Sequence, residues 1–220
     1  MGKEVHRHIY TDKLQSISLT FILQHGLIDF VEIHGHFYHS NLSNTMAPKQ
    51  GSLTYTEYLA LEQLSGQRLE FANGYTFAHP AADRLHDGIV LRLRAEIAMR
   101  LPEGGCTLGG ASTRVVVTQA ADATYYPDIV VLSAEQPVLL IEVLSPLTSS
   151  LDRREKLFSY QKIPTLREYV TIYTNEIYAE RHHRSPVGTW DVQQLGVESQ
   201  LVLESVPLAI ALCQIYDGPP

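Results

Sequence analysis

The chain is poor in cysteine, with two in 220 residues, Cys106 and Cys213. They lie far apart and form no CxxC pair, which excludes a disulfide framework and a cysteine-rich zinc site. No apolar run approaches the roughly 18 residues needed to span a bilayer. The first residues, Met1 to His8, carry no apolar signal core. A soluble, cytoplasmic protein with no membrane partner is expected. Positive charge is also scarce, with 17 Lys and Arg against 24 Asp and Glu and a formal net charge of −7. Non-specific nucleic-acid binding relies on many Lys and Arg contacts to phosphate. That balance argues against a general DNA coat and leaves room for a local basic patch, or for a metal bridging carboxylate to phosphate. Zinc-finger spacing, a P-loop and a Rossmann glycine pattern are missing too.

What remains has the composition and length of one globular domain with a substantial core. Residues 1–45 differ from the rest. They hold six of the ten histidines and show two short apolar stretches, Ile17–Leu23 and Leu27–Ile33, without sustained periodicity. His34, His36 and His39 lack a scaffold that would fix metal ligands. Residues 1–45 are expected to be an appendage outside the main fold, either disordered or an upstream translation ahead of a natural start at Met46. Residues 46–220 then form the domain.

Within 46–220 the patterns are regular. Thr54 with Glu57 fits a capping box opening a helix to about Leu64. Asn73-Gly74 between Leu69–Ala72 and Tyr75–Ala78 is a two-residue hairpin signal. Leu85, Ile89, Leu93, Ile97 and Leu101 mark one face of an amphipathic helix. Strands are expected at Arg114–Thr118, Asp128–Leu132 and Val138–Leu144. A helix follows to about Gln161, with Asp152 and Glu155 resembling a capping pair. Then come a hairpin of Glu168–Thr174 and Ile177–Arg181, a strand Trp190–Leu195 and a closing helix Ile210–Tyr216. The expected fold is α/β, a mixed β-sheet core flanked by helices.

Two acids stand out in this frame. Glu142 interrupts the apolar run Val138–Leu144, and Asp128 opens the run Ile129–Leu132 just after Tyr126-Pro127. An ionised carboxylate in an apolar interior must be protonated, paired or bound to metal. Alternation puts Leu140, Glu142 and Leu144 on one strand face, with Leu139, Ile141 and Val143 on the other. If the two strands are neighbours, Asp128 and Glu142 converge, and two hard oxygen donors with water suit Mg²⁺ or Mn²⁺. Each acid also has a plain reading. Asp128 is then a turn residue. Glu142 then pairs with Arg114 or Arg153, or lies on an edge strand with one wet face.

Several stretches carry a resemblance. These are Tyr55-Thr56-Glu57-Tyr58-Leu59, Arg68 to Gly74, Tyr126-Pro127-Asp128, Glu142-Val143-Leu144-Ser145-Pro146, Asp152 to Lys156 and Ile163 to Tyr169. In this order, over about Leu53 to Asp217, they resemble the Uma-type restriction endonucleases of the PD-(D/E)XK nuclease superfamily. The resemblance implies a restriction endonuclease-like fold and a metal-dependent DNA endonuclease, with Asp128 and Glu142 as metal ligands for Mg²⁺ or Mn²⁺. It implies a lysine near the water, but Leu144 stands two residues after Glu142 where the superfamily has it. Lys156, on the following helix, matches the family's substitute; as a solvated helix residue it would do nothing. Glu70 matches a family glutamate that completes the shell or pairs with a cation; otherwise it is an exposed strand residue. Asn73 stands where the family often has an acid. His86 matches a frequent family histidine that either hydrogen-bonds an active-site carboxylate or a phosphate or, the reading preferred for a lone helix histidine, lies at the surface or boundary, beside a solvent-facing Asp87.

Arg153, Arg154, Lys156, Lys162 and Arg167 form the densest basic stretch. It is expected either to line a positive rim for DNA or to be a solvated helix face. Arg181-His182-His183-Arg184 reads as a hairpin tip. A homodimer is admitted by the sequence and not required by it. The readings kept open are an endonuclease with catalytic Asp128, Glu142, Lys156 and Glu70, a nuclease-fold binding or assembly module that no longer cuts, and an unrelated α/β protein with one buried ion pair.

Overall fold

The computed structural model describes residues 17–18, 32–33, 52–78, 84–101, 105–118, 122–145 and 150–216; for 17–18, 32–33 and 150–153 it describes backbone alone. The chain divides into two units, Met1–Ser52 and Leu53–Pro220. In the first, β1 (Ile17–Ser18) pairs antiparallel with β2 (Glu32–Ile33). The linker 41–45, Met46 and the histidines 34, 36 and 39 lie outside the described residues.

The second unit begins with α1 (Tyr55–Ser65), β3 (Leu69–Ala72), β4 (Tyr75–Ala78) and α2 (Arg84–Ala98). Then come β5 (Cys106–Gly110), β6 (Val115–Val116), β7 (Ala123–Tyr125), β8 (Ile129–Ser133), β9 (Gln136–Leu144) and α3 (Ser150–Tyr160). It closes with β10 (Glu168–Tyr173), β11 (Ala179–Arg184), β12 (Trp190–Leu195), β13 (Gln200–Leu203), β14 (Leu208–Ala211) and α4 (Leu212–Tyr216). The main sheet has the order β12-β11-β10-β9-β8-β5, and a smaller one has β4-β3-β7-β6. Only β9 and β10 pair in parallel within the main sheet; α3 makes the crossover that parallel neighbours require.

Alternation along the strands assigns the two faces of the main sheet. Ile129, Val131, Leu139, Ile141, Val143, Val170 and Ile172 join Ile89, Leu93 and Ile97 of α2 in one core. Val130, Leu140 and Tyr169 turn the other way and pack with Tyr160 of α3 and with Ala72, Val115 and Tyr125 of the small sheet. The small sheet is lined behind by Tyr58 of α1 against Leu69 and Phe71. Strand β3 is therefore buried on both faces, its even residues toward α3 and its odd residues toward α1.

The Thr54–Glu57 capping box forms, and Gly66 ends α1 in the left-handed conformation. Asn73 and Gly74 both take positive φ, as a two-residue hairpin with matching twist requires. The α2 stripe holds at its centre only. Leu85 is exposed and Leu101 half-buried, because a spacing of four advances about 40° per step on a 3.6-residue helix and its ends rotate off the sheet.

Four expectations are corrected. The strand at Arg114–Thr118 shrinks to two residues. Helix α3 starts at Ser150, so Asp152 and Glu155 lie inside it and cannot cap it. Residues Leu208–Ala211 pair with β13, and the closing helix is only Leu212–Tyr216. Arg181 to Arg184 are the body of β11, paired on both sides, rather than a hairpin tip.

Candidate active site

Asp128 and Glu142 come together because β8 and β9 pair antiparallel with Ile129 opposite Ile141. One further step of that register sets Asp128 opposite Glu142, on the same face of the sheet. The turn joining these strands is Ala134-Glu135, both at positive φ. Asp128 is just past the end of the ladder. Its Oδ2 accepts the Val143 backbone N–H at 2.8 Å, continuing the ladder with a side chain. Its Oδ1 lies 3.2 Å from Nε2 of His86 at the start of α2.

Glu70 enters from β3 and Lys156 from α3. Lys156 Nζ is 2.9 Å from Glu70 Oε1 and 3.5 Å from Glu142 Oε1. Tyr160, one turn further along α3, donates its hydroxyl to the same Glu142 oxygen at 2.9 Å. Positions 156 and 160 share a helix face, so one helix supplies both donors. The Tyr126 backbone N–H donates to Glu70 Oε1 at 3.3 Å, tying Glu70 to the segment that carries Asp128. Lys156 also sits 5.5 Å from the centre of the Tyr125 ring. Asp128, Glu142, Glu70 and Lys156 are 3%, 4%, 4% and 6% exposed.

Electrostatics follow from that burial. Loss of water pushes the Glu142 carboxyl up to about 8; the Lys156 ammonium and the Tyr160 hydroxyl pull it down, while Asp128 and Glu70 push it further up. The hydrogen bond to Asp128 raises the His86 imidazole, against the opposing effect of burial; Asp87 adds to the rise. The cluster holds three carboxylates against one lysine and one histidine. Fully ionised it would be short of positive charge, so the fold keeps a proton on Glu142, which a hard divalent cation would displace.

Each expected residue is thus located. Asp128, Glu142, Glu70 and Lys156 gather in one cluster. Glu70 is buried rather than an exposed strand residue, and Lys156 is buried rather than solvated. His86, expected at the surface or boundary, touches Asp128, while Asp87 beside it is exposed. Arg114 does not reach Glu142; it pairs with Glu62 and Tyr126. The Arg153 side chain lies outside the described residues. The buried Lys156 cannot belong to a surface rim, whereas Arg154, Lys162 and Arg167 are exposed. Arg181 is buried against Glu168 and Glu204.

Tyr160 was missed by sequence reasoning. Its signal was there, four residues after Lys156, but a tyrosine in an amphipathic helix reads as core. The backbone donors of Tyr126 and Val143 leave no trace in a sequence at all.

Among the described residues no three His, Cys, Asp or Glu side chains form a ready ligand set. Asp128 and Glu142 are the pair that fits a small hard cation, since Mg²⁺ commonly takes one or two carboxylates and fills its shell with water. Glu70 is committed to Lys156 and does not fit as a third ligand in this arrangement.

Comparison with known proteins gives a consistent result. The Uma2 family model, described as "Putative restriction endonuclease", matches residues 55–213. An uncharacterized protein of Synechocystis is 26% identical over 176 residues, covering 76% of this chain and 92% of its own length. A second from the same organism is 25% identical over 132 residues, covering 54% and 74%. A crystal structure described as "a putative nuclease" from Anabaena variabilis aligns with a TM-score of 0.62 at 17% identity, over 74% of this chain and 97% of that one. At that identity the likeness is one of fold, an α/β sheet with flanking helices. No helix among the described residues is long and apolar enough to cross a membrane.

Proposed function

The chain belongs to the Uma2 family, and from that premise we propose that it is a divalent-metal-dependent endonuclease hydrolysing DNA phosphodiester bonds. The observation that carries the proposal is the excess of buried carboxylate at one sheet end. Glu70 from β3 and Glu142 from β9 share one lysine from α3, and Asp128 at the β8 entrance lies opposite Glu142 with His86 beside it. A packed core has no use for such an imbalance, and a cleft that receives a cation and a phosphate does.

Asp128 and Glu142 would hold Mg²⁺ or Mn²⁺. When bound, such an ion lowers the pKa of its water and neutralises charge on the phosphate. The chain's own residues do the rest. The Val143 N–H and His86 fix the plane of the Asp128 carboxylate. Tyr160 holds Oε1 of Glu142, leaving Oε2 to turn toward the ligand. Glu70 anchors Lys156 beside Glu142, which places its ammonium where it would steer an attacking water or a phosphate oxygen. Lys156 reaches the carboxylates from a helix and so fills the role that the buried Leu144 cannot. Exposed Arg154, Lys162 and Arg167 on and after α3 would supply the local basic rim for DNA.

The test is cleavage of plasmid and oligonucleotide DNA with Mg²⁺ or Mn²⁺. Asp128→Ala and Glu142→Ala are each expected to lose about a thousandfold or more while staying folded. Wild-type rates in either variant would overturn the assignment. Leu144 and the net acidity favour a second reading, a binding or assembly module that does not cut. Titration calorimetry separates the two, because that reading predicts no heat with millimolar Mg²⁺ or Mn²⁺.

A further inference from the structure

The small sheet ends in an edge strand, β4. Its register sets Phe77 directly opposite Glu70 and Tyr75 opposite Ala72. Directly opposed residues share a face, with Cβ atoms about 5 Å apart. Phe77 and Tyr75 therefore stand on the face of the small sheet that carries Glu70 and looks toward Lys156. Both are half exposed, at 50% and 51%. Two aromatic rings thus stand at alternate positions of an edge strand, beside a buried acid–lysine cluster, and neither belongs to a hydrophobic core among the described residues.

We propose that Phe77 and Tyr75 form a stacking platform for unpaired nucleobases, so that the site takes single-stranded or locally melted DNA in preference to intact duplex. This rests on the reading of the cluster as a phosphodiesterase site. Three observations support it. An aromatic platform needs the open π-face of a base, which a duplex hides within its own stack. The carboxylates and Lys156 are recessed, and a thin flexible strand reaches a recessed phosphate more readily than a stiff double helix does. The chain carries a net charge of −7, so phosphate neutralisation alone gives little affinity, and stacking provides it without added cations.

Fluorescence anisotropy in EDTA, which prevents cutting, tests the idea. The probes are a labelled single strand of about 20 nucleotides and the matching duplex. The single strand is expected to bind at least tenfold more tightly. Phe77→Ala is expected to weaken it about tenfold, Tyr75→Ala by less, and Phe77→Tyr to restore it. Because Phe77 and Tyr75 are only half buried, each variant should keep the wild-type circular dichroism and a cooperative melt with a slightly lower Tm. Equal affinity for both probes, no binding of either, or a Phe77→Ala effect below twofold would overturn the proposal. So would a Phe77→Ala variant that changes only the sedimentation coefficient, since the strand would then be a contact between copies of this chain. The two readings fail separately. Loss of binding in Phe77→Ala with no metal-dependent cutting by wild type sinks the nuclease and keeps the platform. Cutting that ignores Phe77→Ala, with unchanged binding, does the reverse.

Discussion

Strands β9 and β10 run side by side, and each buries a glutamate. Glu168 faces Leu139 across the ladder, and Thr171 faces Glu142, so the two acids lie toward opposite ends of the pair. Glu168 is saturated with donors. Arg181 Nε reaches its Oε1 at 2.8 Å, the Glu204 N–H its Oε2 at 3.0 Å and the Ser205 N–H its Oε2 at 2.6 Å. A second acid, Glu204, shares the same arginine, which draws the Glu204 carboxyl below its ordinary range. At Glu142 both donors found among the described residues address one oxygen, and two further acids press on it. A buried carboxylate whose oxygens are all met holds a fold together; one that is under-supplied keeps free energy in reserve for a ligand. The first ties the β13–β14 turn to the main sheet. The second marks where a cation would enter.

The largest expected effect tests the saturated end. Glu168→Ala leaves Arg181 with one exposed partner and strands two backbone N–H groups, so it should cost about 3–5 kcal/mol in urea unfolding. DNA cutting per folded molecule should be unchanged. A loss below about 1 kcal/mol would erase the distinction between the two glutamates.

Next in size is Lys156→Met. It removes the cation between Glu70 and Glu142 and should cost about 2–4 kcal/mol near pH 8 in EDTA. The cost should shrink as pH falls below about 8, where Glu142 takes up its proton. Added Mn²⁺ should stabilise this variant more than wild type, because the ion then meets two unbalanced acids. Equal Mn²⁺ effects on Tm in both proteins would speak against Glu142 as a ligand.

The unsaturated end should respond with the opposite sign to the saturated one. Glu142→Gln keeps an acceptor for Tyr160 and removes the cost of holding a proton that the unfolded chain releases, so the apo protein should gain about 1–3 kcal/mol at neutral pH while cutting is lost. The pH dependence follows from the raised carboxyl. Folded Glu142 holds its proton up to about 8, whereas the unfolded chain releases it near 4.5, so wild-type stability falls as pH rises between those values. Glu142→Gln lacks that slope, and the gap in Tm should widen up to about pH 8 and then level off. A gap that narrows with pH would mean that Glu142 is ionised in the fold.

Much of this site was legible because its residues break local rules. Glu142 inside Val138–Leu144 and Asp128 after Pro127 are visible anomalies, and the strands that carry them were found within two residues. Asn73-Gly74 announced its hairpin by turn chemistry. Ala134-Glu135 makes the equivalent turn with neither glycine nor asparagine, so tertiary pairing of β8 with β9 overrides local preference there. His86 and Tyr160 were underestimated for one reason. Both sit on amphipathic helices, where a polar ring at the core margin is ordinary, and only the approach of a distant strand gives it a partner. Arg181 shows the converse error. Four consecutive polar residues look like a solvated turn, yet Glu168 and Glu204 together bury a guanidinium in mid-strand.

The smallest effect comes from a carboxylate that is neither buried nor short of donors. At the start of α1, Glu57 Oε2 accepts the Thr54 backbone N–H at 2.7 Å, and the Thr54 hydroxyl accepts the Glu57 N–H at 3.3 Å. The Thr54 backbone N–H and the Thr54 hydroxyl, which donates to the same Oε2 at 2.8 Å, draw the Glu57 carboxyl below its ordinary range. Thr54→Ala should cost about 1 kcal/mol. A depressed carboxyl contributes above its unfolded value of 4.5 and loses that contribution as pH falls through its folded value. The difference between Thr54→Ala and wild type should therefore be full at pH 7 and smaller by pH 3, opposite in direction to the trend at Glu142. Salt should leave it nearly intact, since it rests on short hydrogen bonds rather than on distant charge. A Thr54→Ala cost that instead grew on acidification would mean that the protonated carboxyl is the form that caps the helix, and the contrast between supplied and unsupplied carboxylates would no longer separate these sites.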